Sequence, residues 1–123
     1  MTRRLQILLY IIAGYLAVFG ALFLFAPAVA ERITKAPHDP SFRLLDGLYS
    51  LVFALVAFLA AREKQAPNTL SLVILLVTAG HVLVFGYLLF SGTQAFAQAG
   101  PPLIVNVVLA MLLFWFRRNR MQA

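Results

Sequence analysis

The sequence predicts an all-α integral membrane protein, an antiparallel four-helix bundle with four transmembrane spans and both termini in the cytoplasm. Three observations carry this expectation. Of 123 residues, 63% are hydrophobic and only 11% are charged, against about 45 to 50% and about 25% in ordinary soluble domains. The mean hydropathy is +0.91. The apolar residues fall into four runs, each near the roughly 20 residues that a helix needs to cross a bilayer, and the basic residues gather at the ends of those runs. Four such spans use most of the chain, so residues 1–123 form a single transmembrane domain.

The first span covers about 5–25, preceded by Arg3 and Arg4 and followed by Pro27, which stops a helix or opens the next one. A signal-peptide reading of the same segment has Ala28-Val29-Ala30 as its cleavage site, but the apolar run exceeds the usual core of 7 to 15 residues. Residues 26–41 form the outer loop. It starts as a short interfacial helix and breaks where Pro37 and Pro40 push their preceding residues toward extended geometry. The second span, about 42–61, ends at Arg62, Glu63, Lys64 and the turn signal Pro67-Asn68. The third, 69–90, closes at Ser91-Gly92, and the fourth, 101–116, begins at Gly100-Pro101-Pro102 and ends before Arg117, Arg118 and Arg120.

An even number of spans puts both termini on one side, and the positive-inside rule chooses which. Arg3, Arg4, Arg62, Lys64, Arg117, Arg118 and Arg120 lie on the terminal side; Arg32, Lys35 and Arg43 face the other way. Seven against three argues for cytoplasmic termini. The same placement explains the net charge of +6 by orientation and anionic lipid head groups rather than by nucleic acid. Tyr10, Tyr87 and Trp115 fall near span ends, where aromatic belts form. The absence of cysteine excludes thiol redox chemistry, Cys-ligated zinc, iron–sulfur clusters and c-type haem attachment within this chain.

Because lipid tails are as apolar as leucine, membrane helices associate by close packing of small residues. Gly47, Ser50, Ala54, Ala57 and Ala61 recur every three or four residues on one face of the second span. The first span offers Ala13, Ala17 and Ala21, with Gly14 and Gly20 beside them. Both stripes predict helix packing and, by themselves, no chemistry.

Polar residues at membrane depth raise a functional question. They are Tyr15, Asp46, Tyr49, Ser50, Thr78, His81 and Asn106. Asp46 lies one turn inside its span, where it either pairs with Arg43 or faces the bundle beside the Gly47 seam. His81 falls near the middle of the third span and needs a hydrogen-bond partner there. At comparable depth stand Ser50, Tyr49 and Tyr15, with Asn106 and Asp46 nearer the outer face. These six, with His81 at their centre, are the candidate ligand-binding patch. It serves either as interhelical hydrogen bonding or as a site for a quinone head group, another lipophilic ligand or a proton relay. The only other histidine, His38, lies in the outer loop, which argues against bis-His haem. No catalytic triad, HExxH motif, Gly-rich phosphate loop or di-metal carboxylate set occurs. No catalytic residue and no metal ligand is assigned.

Pro27 and the segment Arg43-Leu44-Leu45-Asp46-Gly47-Leu48-Tyr49, an R-x-x-x-G-x-Y pattern, resemble small bacterial four-helix membrane proteins of the DoxX-like group and its uncharacterised relatives. The resemblance implies an inner-membrane location and, through some members, an association with membrane oxidoreductase complexes or quinone reduction. It marks Arg43, Gly47 and Tyr49 as family positions and gives Asp46 and His81 no catalytic role. The expected function is that of a non-enzymatic accessory or assembly subunit, or a lipophilic-ligand binder, partnered by the bilayer and by a second copy or a membrane complex. The alternatives are a quinone-linked oxidoreductase component and an oligomeric channel or transporter.

Overall fold

The computed structural model describes residues 3–34, 40–63 and 69–122. These form five helices: α1 (Arg3–Phe25), α2 (Pro27–Thr34), α3 (Pro40–Arg62), α4 (Thr69–Phe90) and α5 (Phe96–Gln122). All but α2 are long and apolar enough to cross a membrane. Lys35, Pro37, His38 and Asp39 of the expected outer loop, and Lys64 and the Pro67-Asn68 turn, lie outside the described residues.

Local chemistry sets the boundaries. The Ala26 amide still donates to the Leu22 carbonyl at 2.9 Å, but Pro27 has no N–H with which to continue the ladder. The chain therefore turns at Ala26, whose carbonyl accepts from Val29 and Ala30 to start α2. Pro27 and Pro40 each take the first position of their helix, where the missing N–H costs nothing and the fixed φ is already helical. At the end of α4, Gly92 adopts φ 77°. The Gly92 amide then turns back on the Leu89 carbonyl and the Gln94 amide on Leu88, which satisfies carbonyls that the helix leaves open.

The fourth span begins earlier than its prolines imply. An expected start at Gly100-Pro101-Pro102 is corrected to Phe96, with both prolines inside α5. The reason is a cap upstream of them. The Ala95 carbonyl accepts from Gln98 and Ala99, while the Gln98 side chain reaches back to the Ala95 amide at 3.3 Å, a reciprocal arrangement that fixes a helix start. Pro101 then falls in the second turn, and the Ala97 carbonyl loses its usual i+4 donor.

α1 packs most extensively on α3 and α4 on α5, with thinner seams between α3 and α4 and between α1 and α5. As α1 runs from Gln6 to Leu24, its partner on α3 falls from Ala61 to Gly47. The Gln6 amide donates to the Ala61 carbonyl at 3.0 Å. Tyr10 meets Phe58 edge-on at 5.8 Å, Gly20 lies against Leu51, and Leu24 lies over Gly47. The buried core sits toward one end, built from Leu5, Leu8, Leu9, Ile12 and Ala13 of α1, Ala57, Ala60 and Ala61 of α3, Ile74 of α4 and Leu113 of α5. Arg117 ties that end from outside the core, its Nε donating to the buried Ser71 hydroxyl at 2.8 Å.

Candidate functional site

The candidate residues begin beside this core, at Tyr15 and Asn106, and extend away from it. On α3, the positions 60, 56, 53 and 49 form one helical row. That row passes from fully buried Ala60 through half-buried Val56 and Phe53 to Tyr49, which is 55% exposed. α4 repeats the pattern along 74, 78, 81 and 85. Ile74 and Thr78 are buried, His81 is exposed, and Phe85 is half-buried. On α5 the corresponding row stays covered, with Leu113 and Asn106 buried and Leu109 and Pro102 half-buried between and beyond them. Thus both rows begin buried and reach an exposed residue, Tyr49 on α3 and His81 on α4.

The side-chain bonds of the polar residues fold back onto their own helices. His81 Nδ1 lies 2.8 Å from the Val77 carbonyl, Thr78 donates to the Ile74 carbonyl at 2.7 Å, and Asn106 Nδ2 donates to the Pro102 carbonyl at 2.7 Å. Each is an i−4 bond that satisfies a polar group without a second helix. His81 thus meets its need for a partner within α4. The imidazole stacks on Phe85, with centroids 6.2 Å apart and planes 23° apart. Spacing alone carried that signal, since 81 and 85 are helical neighbours.

Tyr15 is half-buried and tilts against Phe19 at 5.0 Å. Ser50 is half-buried and Asp46 exposed; the side chain of Arg43 lies outside the described residues, and with it the expected Arg43–Asp46 pair. Among the described residues, no group of three His, Asp or Glu side chains comes together as a metal site would require.

The packing stripes divide unevenly. Ala54, Ala57 and Ala61 are buried, as is Ala13, while Ala17 and Ala21 are half-buried. Gly47 is buried against α1. A Cβ on Gly47 would lie 2.7 Å from Leu24 Cγ and 3.1 Å from the Gly20 carbonyl oxygen, and one on Gly20 would lie 3.0 Å from the Gly47 carbonyl oxygen. The two glycines face each other at a backbone crossing. Gly14 meets nothing within 4 Å.

Comparison with protein-family models, with curated proteins and with solved structures finds no match.

Proposed function

We propose that this chain is a small non-enzymatic protein of the bacterial inner membrane that binds a lipophilic ligand in a side opening between α3 and α4. In this reading the four long helices form an antiparallel bundle with both termini in the cytoplasm. The buried core closes the cytoplasmic half, and the opening belongs to the outer half. The observation that carries the proposal is the row Ile74, Thr78, His81 and Phe85, which begins in the core, is exposed at His81 and is half-buried at Phe85. A histidine on a core-side row, nine residues and so about 14 Å from the end of α4, has a use when a ligand covers it.

Tyr49 supports the same site. In an antiparallel pair it lies nine residues from the outer end of α3, at the depth of His81. Both side chains are exposed on neighbouring helices, and the half-buried Phe53 and Phe85 flank them with aromatic surface. Asp46 sits one turn nearer the outer face. Ser50, Tyr15 and Asn106 are the more distant candidates. The resemblance of Pro27 and the Arg43–Tyr49 segment to the DoxX-like group fits an accessory role beside a membrane complex.

Native mass spectrometry of the full-length protein in mild detergent tests this. The expected spectrum carries one lipophilic molecule per chain, at reduced occupancy in His81→Phe and at full occupancy in Gly14→Ala. A chain that retains no lipophile beyond bulk phospholipid overturns the proposal. A stoichiometric quinone accompanied by an oxidoreductase subunit replaces it with the redox reading.

A further inference from the structure

His81 gives the proposed opening a chemical preference, an inference that rests on reading the α3–α4 side as a ligand site. The Val77 carbonyl can only accept, so its 2.8 Å contact makes Nδ1 the nitrogen that carries the proton. In an uncharged imidazole Nε2 is then a bare acceptor. Nδ1 is held toward the α4 backbone and the ring is stacked on Phe85. Nε2, separated from Nδ1 by Cε1, therefore has its lone pair turned away from the Val77 carbonyl. His81 is exposed and makes no other hydrogen bond among the described residues.

The surroundings decide what can satisfy that lone pair. About 14 Å from the end of the span, interfacial water is out of reach, and a bare acceptor in hydrocarbon is unfavourable. Acyl tails carry no donor, and a phospholipid's ester groups only accept. The partner must bring a hydrogen-bond donor to this depth on an apolar body, and a hydroxyl is the donor that costs least to carry into hydrocarbon. We propose that the α3–α4 opening binds hydroxyl-headed amphiphiles, aliphatic alcohols or phenols, in preference to ethers of the same shape. Tyr49, at matching depth on α3, supplies a hydroxyl that both donates and accepts. It is the group suited to the ligand oxygen once that oxygen has donated to His81.

The test uses the full-length protein labelled with ¹⁵N-histidine in phosphatidylcholine nanodiscs, where His38 and His81 give separate ring signals. The probes are octadecanol, 4-octadecylphenol and their methyl ethers. In ligand-free discs, His81 is expected as the Nδ1–H tautomer. Added octadecanol or octadecylphenol should shift the His81 Nε2 resonance and bind about tenfold more tightly than its ether, the worth of one net hydrogen bond. Whichever of the two binds more tightly identifies the source class. His81→Phe should bring alcohol and ether to equal affinity.

The Nε2–H tautomer or an imidazolium in ligand-free discs overturns the inference. So does equal binding of alcohol and ether to the unaltered protein, which leaves the lipophile reading standing. Failure of every probe to bind removes both. An Nε2 signal already shifted without probe, and reversed on diluting the protein among discs, would assign the surface to a second copy instead. The alcohol–ether comparison needs no variant, so a misfolded His81→Phe does not remove the test.

Discussion

At the residue scale, two glycines decide how close two helices come. A Cβ on Gly20 would lie 3.0 Å from the Gly47 carbonyl oxygen and one on Gly47 3.1 Å from that of Gly20, so a larger side chain must push α1 and α3 apart. Gly47→Ile is expected to destabilise the protein by roughly 1–3 kcal/mol, the range for overpacking a tight contact. Gly14→Ile, on the same apolar helix but with nothing within 4 Å, should change stability by about 0.5 kcal/mol or less. Denaturant unfolding in mixed micelles compares the two, and equal losses would show that the crossing is not the cause. The spacing of Gly47, Ala54, Ala57 and Ala61 made this seam of α3 legible in the sequence. Which glycine of α1 meets it was not legible, because Gly14 and Gly20 both neighbour the Ala13/Ala17/Ala21 stripe and only the partner helix fixes the rotation of α1. The same limit applies to His81. Sequence depth showed that it needed a partner, but a carbonyl four residues back is a partner every helix offers.

At the element scale, two polar ties between helices lie toward one end. Gln6 reaches from α1 to the Ala61 carbonyl, and Arg117 reaches from α5 to Ser71 on α4. Neither tie was legible, since Gln6 and Ser71 are single polar residues near the ends of apolar runs and their spacing is unremarkable. Ser71 is fully buried and its hydroxyl accepts from a guanidinium, a charge-assisted bond worth more than a neutral one. Ser71→Ala should cost about 1–2 kcal/mol and lower the thermal midpoint in detergent. A variant as stable as the original would mean that the remaining contacts of Arg117 suffice to hold α5 on α4. The four apolar helices themselves were legible because hydropathy and length depend on composition rather than partners. The start of α5 was not, because the Gln98–Ala95 cap outweighs the more conspicuous prolines.

For the whole molecule, side-chain burial and charge point along the same axis. The core is built from the first half of α1, the second half of α3, the start of α4 and the end of α5, and in the sequence the seven basic residues of the terminal side flank those same helix ends. Short flanking segments with excess Lys and Arg are retained in the cytoplasm, so the end that holds the core should be cytoplasmic and the proposed site at Tyr49 and His81 should belong to the outer leaflet. Because the chain lacks cysteine, single cysteines report topology without background. Thr93→Cys, in the exposed connection between α4 and α5, should react with a membrane-impermeant maleimide in intact bacterial cells stripped of their outer membrane. Gln122→Cys should react only after the inner membrane is opened. Neither substitution alters the charge count that sets the orientation. The reverse labelling would invert the molecule and move the opening to the inner leaflet, where a ligand would have to arrive from the cytoplasmic side. Labelling of both positions from outside would leave no net crossing between them, which requires α5 not to span and would remove the four-span bundle altogether.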